Sequence, residues 1–156
     1  IQFDFNQPEG FDLTCVGEDG EKERIVMVHC AVMGSHERFL SVYIEHTGGW
    51  FPLWIAPEQV RILTINDQVM DYVAEVRQVL DQVVLMQPVK YNELRYTVDD
   101  RNESLGKKIR EATSWKIPVQ LIIGSKDAES REVSIRMQTG EEKVALADLR
   151  AYLEAL

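Results

Sequence analysis

Apolar and polar positions alternate with two different periods along this chain. Ile1, Phe3 and Phe5 alternate with Gln2 and Asp4, and Phe11, Leu13 and Cys15 alternate again before the turn Gly17-Glu18-Asp19-Gly20. Period two marks a strand with one buried face. Ile25 to His29 is a near-continuous apolar run, so the turn predicts a hairpin with a buried return strand. Ser35 is placed to cap a helix in which Phe39, Leu40, Tyr43 and Ile44 fall at helical spacing, and Gly48-Gly49 stops it. Residues 1–49 thus read as a partial antiparallel segment with one helix, whose apolar faces and strand edges lack cover. The chain opens inside a strand pattern, as expected of a piece cut from something longer.

From residue 58 onward the pattern changes. Val60 to Ile65 is a short β-branched run, and Val69, Tyr72, Val73, Val76, Leu80 and Val83 follow at the 3.6 period of a long amphipathic helix broken by Met86-Gln87-Pro88. Leu94, Tyr96 and Val98 predict a strand, and a helix follows from about Ser104. Val119 to Ile123 predicts a buried strand, Val133 to Met137 an antiparallel edge strand, and Leu146, Leu149, Leu153 and Leu156 a closing helix. The order βαβαββα calls for an α/β fold, a mixed sheet with helices on both faces. Between the two regions, residues 50–57 are short, held by Pro52 and Pro57 and rich in aromatics. That composition suits a packed hinge, with a stacking surface for bases as the alternative.

The stretch Asp99 to Glu111 joins a strand end to a helix start. Asp100 and Glu103 have capping-box spacing, and Asn102 or Ser104 could cap instead. Leu105, Ile109 and Ala112 share one face expected to be buried, while Glu103, Lys107 and Glu111 stand four apart on the exposed side. The turn should present Arg101 and Asn102 to solvent at the strand ends where α/β domains bind ligands.

Composition narrows the functional classes. The 156 residues carry a net charge of −9, so any nucleic acid must be met by a local cluster of cations rather than a global field. Cys15 and Cys30 form neither CxxC nor a zinc knuckle, which fits a reducing, cytoplasmic setting, and no glycine-rich phosphate loop is present. Neither a leader nor an apolar run of about 18 residues is seen, so no membrane association is expected.

Specific strings go further. Val28-His29-Cys30-Ala31-Val32-Met33-Gly34-Ser35-His36-Glu37-Arg38-Phe39 resembles the third signature motif of class II aminoacyl-tRNA synthetases, in the form of the threonyl-tRNA synthetase family. Gln2-Phe3-Asp4-Phe5, Phe11-Asp12-Leu13-Thr14 and Val16-Gly17-Glu18-Asp19 match that family's preceding segment in spacing. The likeness continues through Phe51 to Val60, Asp100-Arg101-Asn102-Glu103, Lys108-Ile109-Arg110-Glu111 and Gly124 to Arg136. It implies that residues 1–49 end a catalytic domain, 50–57 connect, and 58–156 form a class IIa anticodon-binding domain.

By that resemblance Arg38 would clamp the terminal phosphate of ATP, a role suited to a planar fork of donors. Gln2 and Ser35 would line the substrate pocket, and His29 would be a zinc ligand whose companions lie upstream of residue 1. On pattern alone, Arg38 is a solvated helix cation and His29 a histidine at a core edge. The family's base-reading positions fall on Asn102, Arg110, Asp127 and Arg136, whose amide, carboxylate and guanidinium groups can satisfy the edges of splayed RNA bases. Asp127 could instead shape the turn at Gly124-Ser125-Lys126, and Arg136 could be an exposed strand cation.

Cys30 replaces a usual arginine, His36 a usual apolar residue and Trp115 a usual basic one, and Val83 to Glu93 is longer than the family's connection. The implied parent is a homodimeric threonine-tRNA ligase that uses ATP and magnesium, holds zinc, and binds threonine and threonine tRNA but not DNA. This piece alone is not expected to catalyse. The alternative is an accessory or regulatory paralogue that uses the anticodon-binding fold as a binding module.

Overall fold

A computed structural model describes residues 1–85 and 93–156. They divide into two compact units, Ile1–His46 and Thr47–Leu156. The expected helix break at Met86-Gln87-Pro88 lies outside the described residues.

The first unit contains β1 (Gln2–Asp4), α1 (Asn6–Gly10), β2 (Thr14–Val16), β3 (Lys22–Arg24), β4 (Met27–His29) and the start of α2 (His36–Thr47). β1 pairs antiparallel with β4, and β2 with β3. The expected return strand is therefore shared between two pairings and is not buried: β3 is exposed and β4 at most half-buried. Nothing within the unit covers it, and Phe3, Phe5, Phe11 and Val28 are all exposed. The short α1 is hidden in the alternating pattern. It starts where Asp4 Oδ1 accepts the amides of Asn6 at 2.9 Å and Gln7 at 3.0 Å, which turns the chain out of β1.

The second unit has its own core. Its elements are β5 (Val60–Thr64), a 3-10 turn at Asp67–Val69, α3 (Met70–Leu80), β6 (Tyr96–Asp99), α4 (Leu105–Ser114), β7 (Val119–Ile123), α5 (Ser125–Ser130), β8 (Glu132–Met137), β9 (Gly140–Ala145) and α6 (Leu149–Glu154). The sheet runs β6-β5-β7-β8-β9, parallel across β6, β5 and β7 and antiparallel from β7 to β9. The predicted mixed sheet is present, but β9 rather than β8 forms the edge, and α5 is additional.

Alternation gives the sheet two unlike faces. Ile62, Leu121, Ile123, Val133 and Ile135 point to one side and bury against Tyr72, Val73, Val76 and Leu80 of α3 and Leu149 and Leu153 of α6. Each such aliphatic contributes roughly 1.5–3 kcal/mol by leaving water. Gln120 points to the other side, where its Nε2 donates to Thr113 Oγ1 of α4 at 3.2 Å. In register with Gln120 stand Arg61 on β5 and Arg136 on β8. So α4 lies on the opposite face from α3 and α6, and helices cover both faces.

Residues 50–57 are tied to the second unit. Leu53 and Ala56 are buried, Gln59 Nε2 donates to Leu53 O at 2.8 Å, and Arg95 donates to Ala56 O at 2.7 Å and Pro57 O at 3.0 Å. Lys116 Nζ stands 5.1 Å from the centre of the Trp50 ring, a cation–π contact. No described helix is long and apolar enough to cross a membrane.

Candidate nucleic-acid interface

On the α4 side of the sheet, β8 and β9 carry polar rather than apolar side chains. Ser134 stands opposite Lys143 and Arg136 opposite Glu141, all alternating onto the face that bears Gln120. Arg136 is ion-paired with Glu141, its side chain 40% exposed, so a donor fork and an acceptor are held side by side at the surface.

Arg110 is exposed on α4, one turn before Thr113, the residue that touches Gln120 beside Arg136. Asn102 is exposed in the turn before α4, which begins at Leu105.

Asp127 sits deeper. Its Oδ2 accepts from the Gly124 amide at 3.0 Å, so it shapes the start of α5, while its Oδ1 accepts from Ser134 Oγ and from Lys143 Nζ, both at 3.0 Å. Burial pushes the carboxyl up, but Lys143, the Gly124 amide and the Ser134 hydroxyl outweigh burial and hold it below the ordinary range. Asp127 is buried with both carboxylate oxygens bonded within the fold, so of its two readings the turn-shaping one has a structural counterpart, and Lys143, which is 56% exposed, stands between it and solvent.

The turn carrying Asn102 is fixed by residues whose part the sequence pattern does not announce. Arg101 is exposed as expected, and it also grips the Asp99 carboxylate with Nε at 2.8 Å and Nη2 at 2.6 Å, the same Nη2 reaching Glu111 of α4 at 2.6 Å. Arg101 holds the Asp99 carboxyl low against the opposing effect of burial. Glu111 is consequently paired with Arg101, while Lys107 pairs with Glu103 at 2.6 Å as expected. Ser104 occupies the N-cap position without a side-chain cap bond. Leu105 and Ile109 are only half-buried, and the buried positions of α4 are Ala112 and, unexpectedly, Lys108. A sequence signal exists: residues 105, 108, 109 and 112 follow the i, i+3, i+4, i+7 stripe, and the lysine sits inside it.

In the first unit, pairing of β1 with β4 brings Gln2 opposite His29, and the two line a cleft of about 510 Å³ with Ile1, Cys30 and Ala31. His29 Nε2 lies 3.1 Å from Asp4 Oδ2, the carboxylate–imidazole arrangement that orients a metal-binding histidine. Among the described residues, however, no group of three or more His, Cys, Asp or Glu side chains is placed to hold a metal. Ser35 Oγ accepts the Arg38 amide at 3.2 Å at the start of α2, and Arg38 is exposed. Cys15 and Cys30 are free and exposed.

Residues 59–156 match the family model for the anticodon binding domain. The chain belongs to the anticodon-binding domain family. It is 50% identical over 137 residues to the threonine-tRNA ligase of Fusobacterium nucleatum, covering 87% of this chain and 21% of that one. It is 48% identical over 138 residues to that of Bacteroides thetaiotaomicron, covering 88% and 20%. Among solved structures it resembles the RNA binding domain of threonyl-tRNA synthetase from Cryptosporidium parvum, with a TM-score of 0.81 at 28% identity, covering 99% of this chain and 38% of that one. The chain therefore spans about a fifth of the length of the curated relatives it matches.

Proposed function

We propose that this chain is the C-terminal part of a threonine-tRNA ligase and that its second unit recognises the anticodon of threonine tRNA. The observation that carries this reading is the match of residues 59–156 to the anticodon binding domain in a chain 50% identical over 137 residues to such a ligase, with Asn102 and Arg110 exposed and Arg136 half-exposed. Asn102, Arg110 and Arg136 would meet base edges, and Asp127 would take part from beneath through Lys143. Each good contact is worth roughly 1–3 kcal/mol of discrimination, by analogy with bidentate base readout in DNA. In the parent, ATP and magnesium would supply activation of threonine, Arg38 would meet phosphate, Gln2 and Ser35 would line the pocket, and His29 would contribute one zinc ligand. A homodimeric, cytoplasmic parent accords with this reading.

The test is titration of the chain with the threonine-tRNA anticodon stem-loop and with the same stem-loop bearing an unrelated anticodon. Preference of at least roughly tenfold for the first, about 1.4 kcal/mol, is expected. Equal affinity would overturn the assignment.

A further inference from the structure

Lys108 is the largest fully buried side chain among the described residues, 2% exposed, yet no carboxylate among them is bonded to its ammonium. Its Nζ donates to Thr64 O at 2.8 Å and Asp99 O at 3.0 Å, with Thr64 Oγ1 at 3.4 Å. Thr64 ends β5 and Asp99 ends β6, so one cation from α4 joins the carboxyl ends of neighbouring parallel strands. Thr64 Oγ1 itself donates to Asp99 O at 3.2 Å, which brings two donors onto that carbonyl.

Removing an ammonium from water is costly, and what offsets that cost here is its bonds to the carbonyls of Thr64 and Asp99, which a methionine of similar length would leave short of a donor. The ammonium does what an apolar side chain cannot, fixing the direction of the Asp99 carbonyl from below. Arg101 fixes the Asp99 carboxylate from above, and Glu103 N donates to Arg101 O at 2.8 Å. Asn102 is the exposed residue held between these fixed points.

We infer that Lys108 is a positioning residue for anticodon recognition: it touches no nucleotide and sets the turn from which Asn102 reads a base. This rests on the anticodon reading proposed above. The consequence is a coupling between a buried and an exposed side chain that share no contact.

The experiment is a double-mutant cycle on the chain itself, with Lys108→Met and Asn102→Ala, against the threonine-tRNA anticodon stem-loop and a base-swapped control, folding being checked by thermal melting. Each single variant is expected to lose roughly tenfold in affinity for the threonine stem-loop and much less for the control, with the double variant within about twofold of the weaker single one. A folded Lys108→Met variant with unchanged affinity, losses that multiply, or an equal loss on both RNAs would overturn the inference. If Lys108→Met does not fold, Thr64→Val decides. It removes the hydroxyl between Lys108 and Asp99, and about a threefold loss confined to the threonine stem-loop is expected, while no change counts against Lys108. Failure of the unmutated chain to discriminate between the RNAs would instead defeat the anticodon reading.

Discussion

The two faces of the five-stranded sheet differ in what covers them. One is closed by α3 and α6 over an unbroken set of aliphatic side chains, and the other is closed by α4 only in part, leaving Ser134, Arg136, Glu141 and Lys143 at the surface. The closed face supplies folding energy. The open face carries polar groups that pair with one another near the surface, Arg136 with Glu141 and Ser134 and Lys143 with Asp127, instead of packing into a core. A strand such as β8 serves both, because its alternate residues Val133 and Ile135 are buried while Ser134 and Arg136 are half-exposed.

The largest expected effect falls on the closed face. Leu121→Ala should cost roughly 2–5 kcal/mol of stability in urea melts, the usual result of truncating a fully buried leucine. A loss under about 1 kcal/mol would mean that this face is not the core. Asp127→Asn comes next, at roughly 0.5–2 kcal/mol, because the carboxylate orders the first turn of α5. Since the folded state holds this carboxyl below its ordinary value, its contribution is present above the unfolded value of about 4. It is lost as pH falls through the lower folded one. Stability of the Asp127→Asn variant should therefore fall less steeply on acidification, and unchanged acid slopes would contradict the account. The smallest stability change is expected for Arg136→Ala, within about 1 kcal/mol, since an exposed ion pair contributes little. The same change should weaken binding of the threonine stem-loop by roughly five- to a hundredfold. A strongly destabilised variant with intact binding would invert the roles of the two faces.

Legibility in the sequence follows the same division. Strands β5, β7 and β8 and helix α3 announce themselves through apolar runs and periods, because each buries a face. β9 does not: as an edge with Glu141, Glu142 and Lys143 exposed, it has no apolar alternation to show. α5 is a short helix started by a glycine whose amide is satisfied by Asp127, so a turn and a helix look alike there. Residues 1–46 mislead in the opposite direction, since Ile25 to His29 has the composition of a buried strand and lies instead on a unit whose only buried described residue is Pro8. Asn102, Arg110 and Arg136 are legible through resemblance and are exposed or half-exposed. Lys108 is harder to find, because a cation in a charged string reads as solvated until its neighbours on the helix stripe are counted.

The most direct test of the division between faces is an NMR footprint of the chain on addition of the threonine-tRNA anticodon stem-loop. Perturbed resonances are expected at Asn102, Arg110, Arg136, Glu141 and Lys143, with α3 and α6 silent. Perturbations gathered on α3 and α6, with the open face unchanged, would contradict it.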